Sequence, residues 1–192
     1  MTEQQEYRVL ESRDGVELRE YAPCVVADVV VEGTLAQATN AAFRPLFDYI
    51  SGANAGSTSL DMTSPVIQQA SGEQLAMTAP VLQEATGDRR WTVSFVLPGS
   101  RPIGDYPTPI DPRVTLRQIP TGIAAALPWS GAWTEENVAR RTDELGRGIA
   151  QAGWMPVGDP RWARFDPPWT PDFARRNEIV IPVRRPDAGS DD

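Results

Sequence analysis

The chain predicts an α+β fold built as two similar halves, each made of strands with one helix. Three observations predict it. Val16-Glu17-Leu18-Arg19-Glu20-Tyr21 aligns with Val114-Thr115-Leu116-Arg117-Gln118-Ile119 at an offset of 98 residues, and the same offset sets Ala27 on Ala125 and Gly33 on Gly131. A helical pattern follows each of those glycines. Short runs of strand character flank both helices, so each half reads strand, strand, helix, strand, strand.

The elements follow in order. After the strand Val16 to Tyr21, Cys24 to Val31 is a continuous apolar run and reads as a buried strand. The first helix spans about Thr34 to Ile50. Leu35, Ala38, Ala42, Leu46 and Ile50 share one face, Phe43 and Phe47 widen it, and Pro45 inside it predicts a local kink. Next come two copies of Met-Thr-x-Pro-Val, fifteen residues apart, beginning at Met62 and Met77. They read as neighbouring strands with proline at an edge or bulge. Trp91, Val93, Phe95 and Leu97 alternate along a further strand, and a proline-rich connection runs from Pro98 to Pro112. In the second half, Val114 to Ile119 and Ile123 to Leu127 are strands. Thr134 caps a second helix that runs to about Ala152, with Glu135 and Glu136 at its positive end. Val138, Thr142, Leu145, Ile149 and Ala152 form its buried face, and Gly153 stops it. Glu178 opens a last apolar strand through Ile179-Val180-Ile181. The organisation expected is one domain over residues 1–185, with repeat halves of about 7–97 and 113–184, and a disordered tail at 186–192.

Bulk composition excludes several classes of function. A net charge of −8 opposes a nucleic-acid surface, which needs clustered cations. All 18 basic residues are arginine, a bias that codon usage or a salt-adapted host produces. The start carries no secretory pattern, no apolar run is long enough for a membrane span, and one cysteine, Cys24, leaves no internal disulfide; a cytoplasmic address is expected. With no histidine, Ser-His-Asp and Cys-His chemistry are absent, as are histidine-based metal sites, and no metal site is expected. Neither a P-loop nor a dinucleotide fingerprint occurs.

Five segments together resemble the SOUL/haem-binding family. They are Val16 to Tyr21; Phe43 to Asn54, with its F-x-x-L-x-x-Y-I-x-G-x-N pattern; the two Met-Thr-x-Pro-Val copies; Trp91 to Pro98; and Phe165-Asp166-Pro167-Pro168-Trp169-Thr170-Pro171 followed by Arg175-Arg176-Asn177-Glu178. The resemblance covers about residues 7 to 184. It implies a distorted antiparallel β-barrel of two pseudo-symmetric halves, each with one flanking helix, a fold shared with GyrI-like small-molecule-binding domains. It also implies a haem or porphyrin partner, with haem b as the cofactor. The cleft would lie beside the first helix, at Phe43, Leu46, Phe47 and Ile50, and along the loop before the last strand, at Trp169 and Phe173. Some animal members carry a proposed iron-ligating histidine where this chain has Glu20, so binding here is expected without an axial histidine.

Each candidate has a second, structural reading. Met62 and Met77 offer a polarizable surface to a flat ligand or fill the core. Arg44 and Arg176 pair with propionates or with neighbouring acids. Glu20 and Glu178 serve as acid/base groups, as partners for a cationic ligand, or as ion-pair partners of arginine. Three functions therefore stand side by side: a haem or tetrapyrrole binder, a GyrI-like binder of lipophilic or cationic compounds, and a carboxylate-dependent enzyme on the same scaffold.

Overall fold

The computed structural model describes residues 5–55, 75, 81–87, 89–99, 101–166 and 170–186. The elements, in chain order, are β1 (Tyr7–Arg13), β2 (Val16–Tyr21), β3 (Cys24–Glu32), α1 (Leu35–Ile50), β4 (Asn54–Ala55), β5 (Val81–Gly87), β6 (Arg90–Val96), β7 (Thr108–Pro109), β8 (Val114–Ile119), β9 (Gly122–Ser130), α2 (Glu135–Gln151), β10 (Met155–Pro156), β11 (Arg161–Arg164) and β12 (Arg176–Arg184). The main sheet runs β1-β2-β9-β12-β11-β5-β6-β3-β8, entirely antiparallel and strongly curled into a half-barrel, with the short β10 on β12. β4 and β7 pair apart from it. The α+β architecture and both helices are those the sequence predicts.

Local chemistry accounts for the helices. Gly33 and Gly131 stand at φ 135° and 138°, where a side chain is strained, and turn the chain out of β3 and β9 toward α1 and α2. Thr34 and Gln37 form a reciprocal capping box, and Thr134 caps α2 through the Asn137 N–H. The first helix runs continuously through Pro45.

Both helices pack on one face of the sheet. Beneath α1, Ala38, Ala42, Leu46, Tyr49 and Ile50 meet Val25, Ala27 and Val29 of β3 and Val93 and Phe95 of β6. Leu145 and Ile149 of α2 meet Val16, Leu18, Leu127, Ile179 and Ile181. Each such fully buried aliphatic side chain contributes roughly 1.5–3 kcal/mol, so these two layers dominate the fold's stability. Among the described residues the other face bears no helix. Its centre is a smaller apolar floor of Val26, Leu82, Val96, Ile119 and Ala163.

Besides the two-residue strands β4, β7 and β10, the sequence pattern does not mark β1 and β11. The first is a largely exposed edge strand and the second is only four residues long, so neither carries a clean apolar period. The Met-Thr-x-Pro-Val copies, apart from Val81, and all of the expected disordered tail of 186–192 except Pro186 lie outside the described residues. Among the described residues no helix is long and apolar enough to cross a membrane.

Candidate functional site

On the helix-bearing face, the central strands β5 and β11 lie between the two helices. Pairing register lines up Asn177, Arg164, Val81 and Phe95 as direct partners across β12, β11, β5 and β6. Direct partners in an antiparallel sheet point to the same side, so these four side chains form one row. Phe43 of α1 meets Phe95 edge-on at 5.7 Å between ring centroids and stacks on Phe47 at 5.7 Å. Phe43 and Phe47 remain 41% and 39% exposed, although helix α1 buries its main face completely. A surface of two aromatic rings left open beside a packed core is able to take a flat apolar partner.

The other sequence-predicted residues of α1 separate from this pair. Leu46 and Ile50 are turned into the core at 0% and 4% exposure, so they support the surface from beneath. Arg44 is solvent-exposed and bound to Asp48 one helical turn on, at 3.1 Å. The cation that the row does contain is Arg164, which sequence reasoning missed. Its guanidinium lies 5.2 Å from the centre of the Trp133 ring and makes no hydrogen bond or ion pair among the described residues. Burial, then the nearby charge of Arg175, hold its pKa below the ordinary arginine value. The only sequence signal for it is the alternation in Arg161-Trp162-Ala163-Arg164, which puts Arg164 on the side of Trp162.

The helix-free face carries a different chemistry. Arg19 is 2% exposed, and its Nη1 donates to Glu178 Oε1 at 2.7 Å and to the Tyr21 hydroxyl at 3.1 Å. Its Nε donates to Glu17 at 2.7 Å, and the guanidinium sits 4.0 Å above the centre of the Tyr7 ring. Burial opposes the charge on Arg19, but Tyr21 and Glu178 more than offset it and hold its pKa above the ordinary value. Tyr21 donates to Glu178 at 3.2 Å; burial first, and the negative charge of Glu178 second, push its phenol well above the usual range. A groove of about 560 Å³ opens over this cluster, lined by Tyr7, Glu17, Arg19, Phe165, Arg176 and Glu178. That is within the size range of small-molecule sites.

Arg176 therefore borders the helix-free groove, where it pairs with Asp166 at 3.0 Å, and lies on the opposite face from Phe43 and Phe47. Phe173 sits on a short 3-10 turn, Asp172–Ala174, and is 82% exposed. Glu20 forms a solvent-exposed ion pair with Arg8 at 2.9 Å, away from Glu178. Met62, Met77 and Trp169 lie outside the described residues.

The described donors do not fit axial ligation of haem iron. Burial pushes the Cys24 thiol up to about 11, which disfavours the thiolate that binds metal. The Tyr21 hydroxyl is engaged by Arg19 and Glu178, and Glu20 by Arg8. Nor do the described residues contain a cluster of three or more metal-binding side chains.

A sequence model described as SOUL heme-binding protein matches residues 2–182. No curated protein matches the chain significantly. Among solved structures, the C-terminal domain of EcmrR is similar with a TM-score of 0.64 at 13% identity, covering 94% of this chain and 99% of that one. EcmrR in complex with DNA aligns with a TM-score of 0.63 at 14% identity over 89% of this chain, which spans 57% of that longer chain. A Listeria innocua protein described as a hydrolase gives a TM-score of 0.58 at 13% identity, covering 91% of this chain and 94% of that one. At these identities the likeness is one of fold.

Proposed function

The chain belongs to the SOUL heme-binding protein family, and from that membership we propose that it binds a tetrapyrrole, or a molecule equally flat and apolar, through the macrocycle face and without an axial protein ligand. The observation that carries this reading is the stacked, solvent-open pair Phe43 and Phe47, backed by Phe95 and continuous through Val81 with Arg164. Haem b is held here, on this reading, by contact with rings and not by its iron.

The test is a parallel titration of the purified protein with hemin and with metal-free protoporphyrin, followed by absorbance and tryptophan quenching. Saturable binding of both at similar affinity is expected, and a Phe43→Ala/Phe47→Ala double variant should weaken both by about tenfold, the equivalent of one lost aromatic contact of ~1.4 kcal/mol. Absence of saturable binding of either compound overturns the reading. A strong preference for hemin with an iron-ligand spectrum overturns its ligand-free part.

A second reading is favoured by the helix-free groove. There Glu17 and Glu178 share the guanidinium of Arg19, and Arg176 at the rim is paired with Asp166, so three carboxylates meet two guanidinium groups beside Tyr7, Tyr21 and Phe165. Such a surplus of negative charge beside aromatic rings suits a lipophilic cation. Binding of a fluorescent lipophilic cation that Phe165→Ala weakens and Phe43→Ala leaves unchanged is the outcome expected; the reverse pattern counts against it.

A further inference from the structure

We propose that the helix-free face carries one continuous channel with a narrow apolar neck, and that its ligand is a cationic head on an unbranched alkyl chain, not a flat or globular cation. This rests on the second reading above and names the class of cation that the groove selects.

Among the described residues, three spaces on this face share their walls. The groove of about 560 Å³ over Arg19 shares Tyr7, Phe165 and Glu178 with a much smaller space of about 30 Å³. That small space shares Gln5, Tyr21 and Arg161 with a third opening of about 330 Å³, where Ile119, Pro120, Ala124 and Pro182 stand. The middle space has room for roughly two waters. It is a constriction between two wider ends.

The sheet explains why the three lie in line. Arg176, Glu178, Val180 and Pro182 are alternate residues of β12 and point to one side. Arg176 and Glu178 line the wide groove, Glu178 and Val180 the neck, and Pro182 the far opening. The channel therefore follows the strand, and Glu178 to Pro182 spans about 14 Å. Leu82, Ala163 and Glu178 are direct partners across β5, β11 and β12, so buried Leu82 and Ala163 floor the neck beside Glu178. Tyr7 and Tyr21, with ring centroids 5.5 Å apart, complete its lining. Tyr7 is fixed there by its pairing with Tyr21 and by the Arg19 guanidinium, 4.0 Å from its ring centre.

Charge and width then select together. At the wide end Glu17, Glu178 and Asp166 outnumber Arg19 and Arg176, whereas Arg161 stands on the far side of the neck. A cationic head is thus held on the Glu178 side, and its chain leaves through the neck toward Pro182. A bulky aromatic cation enters the wide groove but not the constriction, so the apolar neck contributes nothing to its binding. With about 1.25 Å of length per carbon, from single bonds of about 1.5 Å in zigzag, the span from Glu178 to Pro182 matches roughly eleven carbons.

The experiment is calorimetric titration with alkyltrimethylammonium ions from butyl to tetradecyl, kept below their micelle concentrations, and with tetraphenylphosphonium as a globular cation. Affinity should rise by up to about fourfold per methylene to roughly eleven carbons and then level off. Tetraphenylphosphonium should bind at least about tenfold more weakly than the decyl compound. Ala163→Leu, which thickens the neck floor, should flatten the chain-length dependence and leave butyl affinity unchanged. Tyr7→Ala, at a half-exposed edge-strand position, should widen the neck, raise tetraphenylphosphonium affinity and lower the gain per methylene. Absence of a chain-length dependence, a dependence that Tyr7→Ala leaves intact, or tightest binding of tetraphenylphosphonium overturns the slender class. In those cases the groove reading stands as long as Phe165→Ala weakens the cations that bind. Failure of every cation to bind overturns both.

Discussion

One guanidinium organises the helix-free face: Arg19 is shared by Glu17, Glu178 and the Tyr21 hydroxyl and roofed by Tyr7. Removing one partner of such a buried pair leaves charge uncompensated, which costs far more than an exposed pair is worth. Glu178→Gln should therefore lower stability by about 3 kcal/mol in urea unfolding, whereas Glu20→Gln, from an ion pair 74% and 41% exposed, should move it by less than about 0.5 kcal/mol. Equal effects would sink the distinction. The sequence treats these two glutamates alike. What separates them is strand alternation: Glu20 shares the side of Leu18 and Val16, and Arg19 and Tyr21 point the other way. Tyr21 also predicts a pH effect. Its folded pKa is raised above the ordinary phenol value of 10.0, so its contribution to stability is complete below about pH 10 and is lost as pH rises through the folded value. In an absorbance titration of tyrosinate, the Tyr21→Phe difference should be a late-ionising chromophore. Ionisation of that chromophore near pH 10 in the native protein would refute this.

At the level of elements, the helices were the most legible part of the chain because capping residue, apolar face and stop signal all agree. Their seating on the sheet was not legible. A methyl group built on Gly148 of α2 would lie 2.7 Å from Cγ2 of Val16 on β2, so the helix rests on the strand at a glycine. Gly148→Ala should lower the unfolding midpoint by an amount equivalent to about 1–3 kcal/mol despite the better helix propensity of alanine. Adding Val16→Ala should recover part of it, and a stabilised single variant would show that the two elements can separate freely. The same limit governs α1. Its wide apolar face was visible in sequence, but only packing decides that Leu46 and Ile50 are consumed by the core while Phe43 and Phe47 stay open.

Across the whole molecule, exchanging β2 with β8, β3 with β9, β5 with β11 and β6 with β12 turns the strand order from β2 to β8 into its own reverse. The register obeys the same exchange: Arg19 faces Ala124 and Arg117 faces Val26, each arginine paired to a strand contributed by the other half. The polar partners do not obey it. Arg19 binds Glu178 on β12, whereas Arg117 binds Asp28 on β3 at 2.6 Å. Backbone symmetry thus coexists with unlike polar pairs in the two halves.

By itself the sequence determined the α+β composition, the position and caps of both helices, most strands and the family, because these depend on local periodicity and on motifs read along the chain. Tertiary structure alone decided which face each candidate occupies and which cations are free. Arg164 meets Val81 only through the pairing of β11 with β5, across more than eighty residues of chain. Arg44 and Arg176, the cations that sequence position singled out, are bound to Asp48 and Asp166. The physical reason is that alternation assigns a side chain to one of two sides of a strand, whereas register and packing between distant elements assign its neighbours.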